Sequence, residues 1–204
     1  MKDVDMIIAV IGKGRVGTAL GEGWTKAGHS VVYGSRSAPT DGTISIADAA
    51  KAAEMIVIAT PWNAVQDVCA AIGPQPGKIV IDCTNPVLMG QGAPKDAAGH
   101  ELSGGEQVQG WRPEAAVFKT LNQTGFETLA RAHALSARPV MLVAGKDAAL
   151  KPIVMQRLSE LGLDAVDAGP LSNAGKLEDF AKLWMELAFK QGQGRGFAFA
   201  RVVH

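Results

Sequence analysis

The chain has 204 residues, 47% of them hydrophobic and 20% charged, with 20 basic and 20 acidic side chains and no net charge. The apolar content excludes a disordered chain, and the charge balance lacks the basic surplus of a general nucleic-acid binder. Aromatic residues make up 5%, too few for base-stacking platforms.

Two cysteines, Cys69 and Cys83, do not make a disulfide framework and are expected to be reduced. The start of the chain places acids before a short apolar run, unlike a secretory signal. No apolar run approaches the ~20 residues that span a bilayer. A cytoplasmic protein outside the membrane is the expectation.

In chain order, strand and helix alternate. Met6–Ile11 is a continuous apolar run ended by glycine, as in a buried parallel strand. Val16, Leu20 and Trp24 have helical spacing within Val16–Lys26. Ser30–Gly34 follows as a second strand. Ser45-Ile46-Ala47-Asp48 reads as a capping box that opens a short helix. Met55–Ala59 is a third strand, and Thr60-Pro61 places a cap and a first-turn proline before a helix over Asn63–Ile72. Further strands are expected at Lys78–Asp82, Ala115–Phe118, Val140–Ala144 and Asp164–Asp167. Helices are expected up to Leu161 and over Leu171–Lys190. Pro152 within the earlier of these implies a late start or a kink.

Residues 88–110 contain six glycines and read as a long surface loop with a short helix capped by Ser103, weakened by Gly104 and Gly105. The alternation predicts an α/β, Rossmann-type doubly wound, mostly parallel sheet with a small C-terminal α/β extension. The division expected is a dinucleotide-binding part over residues 1–136 and a part closing the cleft over 137–204, or one continuous unit.

Gly12-Lys13-Gly14-Arg15-Val16-Gly17 is a G-x-G-x-x-G between a buried strand and a helix. In that context Gly12 allows the tight turn, Gly14 lets the backbone approach a pyrophosphate, and Gly17 lets helix and strand pack. The free N–H groups and dipole of the helix end attract phosphate. An NAD site needs an acid near the end of the second strand, yet none occurs between Glu22 and Asp41. Ser35 and Arg36 stand there instead and supply charge and donors for a 2′-phosphate, so the dinucleotide expected is NADP(H).

Tyr33 has no lysine four residues on, which argues against a short-chain dehydrogenase. The histidines, His29, His100, His133 and His204, lack metal-ligand spacing and read as turn or surface residues; no metal is expected. Gly192–Gly196 follows a helix and reads as a C-cap and turn.

Gly12–Gly17, Gly34-Ser35-Arg36, Thr60-Pro61-Trp62, Asp82–Pro86, Lys119-Thr120-Leu121-Asn122 and Asp167–Asn173 occur in an order that resembles the coenzyme F-420-dependent NADP oxidoreductase family. The resemblance covers nearly the whole chain. It implies a Rossmann domain, a small C-terminal domain and a cleft in which a hydride passes between nicotinamide and a deazaflavin or flavin.

By the same resemblance, Lys13, Arg15 and Val16 line the phosphates, and Ser35 and Arg36 hold the 2′-phosphate. Thr60, Pro61 and Trp62 pass along the cofactor, and Asn85 and Pro86 lie near the nicotinamide. Leu171, Ser172 and Asn173 close the cleft. A homodimer is implied, with the apolar stripe of Leu177, Phe180, Leu183, Trp184 and Leu187 as candidate interface or as intrachain packing.

The partner expected is a small-molecule electron acceptor or donor, with no nucleic acid and no membrane. No acid–base pair stands out, and the catalytic candidates are Lys119 and Asn122. Two alternatives stay open: reduction of a small carbonyl or imine with Lys119 as proton donor, and a non-enzymatic NADP(H) sensor.

Overall fold

The computed structural model describes residues 5–37, 40, 42–86, 95–96 and 99–202. Eight strands form one sheet: β1 (Ile7–Ile11), β2 (Ser30–Ser35), β3 (Thr43–Ser45), β4 (Met55–Ile58), β5 (Ile79–Asp82), β6 (Ala116–Lys119), β7 (Val140–Gly145) and β8 (Asp164–Asp167). Their order is β3-β2-β1-β4-β5-β6-β7-β8. All neighbours are parallel except β6 and β7, which pair antiparallel through Phe118↔Gly145 and Lys119↔Ala144. The three-residue edge strand β3 has no run long enough to announce itself in the sequence.

Alternate residues of each strand face opposite layers, because the side-chain period of a strand is two. Ile8, Val10, Met55, Val57, Ile81 and Phe118 pack with α1 (Arg15–Lys26) and with Val154 and Leu158 of the later helix Lys151–Glu160. Ala9, Ile11, Ile56, Ile58, Val80 and Val117 pack on the other side with α2 (Ile46–Ala52) and α3 (Val65–Ile72). Both faces are covered, so these strands are apolar apart from Asp82 and Lys119 at the ends of β5 and β6.

The remaining helices are α4 (Gly104–Trp111), α5 (Phe126–Leu129), α6 (Lys151–Glu160) and α7 (Ala174–Met185), the last running on into a π turn over Glu186–Lys190. Ser45 caps α2, its hydroxyl accepting the Asp48 N–H at 3.1 Å. Pro152 lies in the first turn of α6, where its missing N–H costs nothing. Leu171–Asn173 is a short 3-10 turn ahead of α7. Among the described residues no helix is long and apolar enough to cross a membrane.

Two expectations change, for the helix at Ser103 and for His29. Of the stretch read as a surface loop, residues 88–94 and 97–98 lie outside the described residues, and its helix is packed rather than exposed. A Cβ on Gly104 would lie 2.9 Å from Glu178 Oε1 and 3.0 Å from Trp62, and one on Gly105 2.9 Å from Ala174 Cβ, so the two glycines permit close approach. The reciprocal Ser103–Glu106 box holds the start of this helix.

His29 is buried, not a surface residue: its Nε2 lies 2.9 Å from Glu160 Oε2, and the Arg157 guanidinium adjoins the ring. His133 and His100 are exposed, and His204 lies outside the described residues. Of the apolar stripe, Leu177 and Trp184 are buried within the chain, whereas Leu183 is 51% exposed. Phe197 stacks on Trp184, with ring centroids 5.5 Å apart.

Candidate functional site

The chain runs outward from β1 to β2 and β3, then crosses back beyond β1 to β4. Ligands of open α/β sheets bind at such a reversal, outside the carboxyl ends of the strands. Here that crevice lies between Gly12, after β1, and Thr60, after β4.

The glycine positions meet different demands. Gly12 has φ +105°, and a Cβ there would sit 2.6 Å from Ala59 O. A Cβ on Gly17 would sit 1.9 Å from Gly12 O, so this glycine lets α1 lie on the turn. Around Gly14 nothing approaches a Cβ within 4 Å, which leaves open space over the start of the helix. The first turn of α1 carries no acid and no side-chain cap. Its unpaired N–H groups and dipole are therefore available to an anion.

Thr60 Oγ1 is buried beside Gly12 without a hydrogen-bond partner. Buried hydroxyls are normally bonded, and this one lines the crevice with its bonding capacity unused. Arg36 is exposed at the end of β2 and forms no ion pair among the described residues. A cavity of about 170 Å³ joins Gly12, Gly34, Ser35, Arg36, Ser37 and Thr60. A ribose 2′-phosphate and a pyrophosphate fit this donor set: cation at one end, helix N–H groups at the other, hydroxyls between. A larger cavity of about 500 Å³ lies behind α1, between Glu22, Lys26, Arg131 and Glu160, and holds none of the residues nominated from the sequence.

Other nominated residues are placed as follows. Lys13 lies 5.3 Å from the Tyr33 ring centroid, and Arg15 stands 5.4 Å from that of Phe126. Val16 packs against the core, and Pro61 is exposed. Trp62 is half-buried, its ring 5.9 Å from that of Trp111. Asn85 and Pro86 follow β5, half-buried at the carboxyl edge. Leu171 is buried against α4, while Ser172 is exposed and Asn173 donates to Ala168 O at 2.7 Å. Leu171 thus serves packing rather than an open cleft wall.

Lys119 is not placed as a proton donor. Its ammonium is fully buried, 2.8 Å from Asp82 Oδ2, 2.9 Å from Glu178 Oε1 and 2.6 Å from Thr84 O. Burial alone lowers its proton affinity, but Asp82 and then Glu178 outweigh burial and hold it above the ordinary lysine range. Asn122 is also buried and bonds to Asn85.

Sequence reasoning missed Glu178. The signal available was one acid on the face of α7 that also carries Ala174, Leu177, Ala181 and Trp184, all buried. An acid on a buried face needs a partner.

The fold and this carboxyl edge define a Rossmann-type dinucleotide-binding protein. Residues 7–86 match the family described as NADP oxidoreductase, coenzyme F-420-dependent. A solved structure from Arthrobacter sp. FB24, designated an F-420-dependent NADP reductase, is 30% identical, covering 97% of this chain and all of that one with a TM-score of 0.83. The chain belongs to the coenzyme F-420-dependent NADP oxidoreductase family and is an NADP-dependent oxidoreductase.

A hypothetical protein from Sinorhizobium meliloti shares the fold at 20% identity, covering 99% of this chain and 98% of that one, with a TM-score of 0.72. A reductive aminase from Aspergillus terreus in complex with NADPH4, cyclohexanone and allyl amine shares it at 20% identity and a TM-score of 0.64. That match covers 93% of this chain and 63% of the aminase.

Proposed function

We propose that the protein holds NADP(H) across the carboxyl edge of its sheet and exchanges a hydride with a planar acceptor such as a deazaflavin or flavin. The observation that carries this reading is Arg36, exposed, without an ion pair among the described residues, and lining one cavity with Gly12 and Thr60. When bound, the dinucleotide supplies the hydride-carrying ring.

The protein's own part is positioning. The α1 N–H groups from Arg15 to Gly17 take the pyrophosphate, with Lys13 and Arg15 flanking it. Ser35 and Arg36 take the 2′-phosphate, and the Thr60 hydroxyl, Pro61 and Trp62 line the passage between. Asn85 and Pro86 border the reacting ring. Residues 137–204 close the cleft over the first 136, as the contact of Glu178 with Lys119 supports. Two ring systems in contact need no acid from the protein, and Lys119 is fully engaged. This weighs against the carbonyl or imine reading, whose proton donor was to be Lys119.

The test is calorimetric titration with NADPH and NADH, followed by NADPH oxidation with flavin and deazaflavin acceptors. Preference for NADPH with turnover of a ring acceptor supports the reading. Equal affinities, or binding without oxidation of any acceptor, overturn it.

A further inference from the structure

A buried chain of bonds runs from the turn after β5 to the last helix. Asp82 Oδ1 accepts the Thr84 N–H at 2.9 Å and the Thr84 hydroxyl at 2.6 Å. Its other oxygen meets Lys119 Nζ, which also reaches Thr84 O and Glu178 Oε1. Glu178 in turn accepts the N–H of Gly105 at 3.2 Å and that of Gly104 at 3.1 Å. One ammonium and two carboxylates are thus enclosed, and the second carboxylate is balanced by the start of α4.

Such a cluster is expensive to desolvate, and apolar residues of similar size often hold a core as well. Its position is therefore informative. The side chains of Asp82 and Lys119 are 0% exposed and that of Glu178 5%, directly beneath the turn that carries Asn85. A second irregularity supports the same turn. Leu121 has φ +61°, and no other non-glycine residue among those described has a positive φ. A left-handed leucine is strained, and such strain persists where the surroundings demand it. It precedes Asn122, which pairs with Asn85 and also donates to Leu177 O on α7 at 3.3 Å.

We propose that Glu178 is a positioning residue that acts through Lys119 to fix the 82–85 turn, and with it Asn85 and Pro86, against the reacting end of the dinucleotide. This rests on the reading that the nicotinamide lies beside Asn85 and Pro86. Glu178 touches neither reactant. Its carboxylate holds the Lys119 ammonium, and that ammonium holds both the Asp82 carboxylate and the Thr84 carbonyl. The glycine loop and Arg36 lie outside this chain of bonds, so affinity and ring placement are governed separately.

Glu178→Gln keeps the shape, keeps an oxygen for one α4 N–H, and leaves Lys119 balanced by Asp82. The experiment follows NADPH affinity, the emission lifetime of bound NADPH, and amide exchange at 82–86 with and without NADPH. Affinity is expected to change by less than about threefold. The lifetime is expected to fall toward that of free NADPH, and exchange at 82–86 to speed by about tenfold or more. Glu178→Asp, which restores the charge but withdraws it by one methylene, is expected to lie between, and serves if the glutamine variant does not fold.

A lowered melting temperature with unchanged lifetime and unchanged exchange at 82–86 overturns the inference and leaves Glu178 a packing residue. If NADPH does not protect 82–86 in the wild type, the nicotinamide placement fails, and the inference with it. Protection in the wild type and an unaltered lifetime in the variant defeat the inference alone.

Discussion

Asn122 and Asn85 bind each other reciprocally: Asn122 Nδ2 donates to Asn85 Oδ1 at 2.9 Å, and Asn85 Nδ2 donates to the Asn122 carbonyl at 2.8 Å. Asn122 Oδ1 also accepts from Gln123 Nε2 at 2.9 Å. Asn122→Ala removes two of these bonds and leaves buried groups unpaired. The loss expected is about 1–3 kcal/mol of stability. Urea denaturation measures it, and a change below about 0.5 kcal/mol would show that the pair is not a fastening.

Leu121 offers a test by an inverted ranking. In an ordinary backbone setting glycine is roughly 0.5–1 kcal/mol less stable than alanine. At φ +61° the order should reverse. Leu121→Gly is expected to be more stable than Leu121→Ala by about 1 kcal/mol, although both lose the buried side chain. Alanine equal to or better than glycine would remove the strain from the account.

The two glycines flanking the first turn of α1 should fail differently. At Gly17 a methyl group would collide with Gly12 O, so Gly17→Ala should unfold or strongly destabilise the protein. At Gly14 the surroundings are open and the backbone is extended, so Gly14→Val should fold with a normal melting curve. That valine fills the space proposed for the pyrophosphate, and dinucleotide binding should vanish. Retained NADPH affinity in folded Gly14→Val would move the site elsewhere.

Arg36→Ala addresses the choice of dinucleotide. A charge-assisted hydrogen bond contributes about 1.5–3 kcal/mol, and exposure favours the lower end. NADPH affinity should fall roughly tenfold, with NADH nearly unchanged and the difference shrinking in salt. Equal loss of both cofactors would mean that Arg36 supports the fold rather than the phosphate.

The thiols give a pH-dependent signature. Burial, ahead of all nearby charges, pushes the Cys69 thiol up to about 12, and burial likewise raises Cys83. A free thiol ionises near 8.5. Protonated burial therefore stabilises fully below about 8.5 and is lost as pH rises toward the folded value. Stability should decline between about pH 8.5 and 12, and a chromogenic disulfide at pH 8 should find no thiol in the native protein and two after denaturation. Rapid native titration of either cysteine would contradict their enclosure.

The sheet was legible because a strand buried on both faces writes an unbroken apolar run; β1 and β4 are such runs, and β5 is one up to Asp82. The glycine motif and Arg36 were legible because their chemistry depends on local order in the chain. Lys119 was misread because one residue cannot show that its partners, Asp82 and Glu178, come from 37 residues before it and 59 after it. The reversal at β7 was equally invisible: Val140–Gly145 has the composition of a parallel strand, and only Gly145, which admits the Phe118 ring where a Cβ would lie 2.2 Å from it, marks the approach.

That reversal leaves a narrow ladder within the sheet. β6 and β7 share two residue pairs, whereas β4 and β5 share four, and so do β7 and β8. β7, α6 and β8 adjoin in sequence with short loops between them, and Met141, Val143, Val154 and Leu158 of these elements share one core with β1, β4, β5 and β6. Lys119 is one of the two β6 residues in the narrow ladder. Opening of that ladder is expected to disturb the Lys119–Asp82 pair and the turn after β5 together, an outcome that amide exchange at both segments reads.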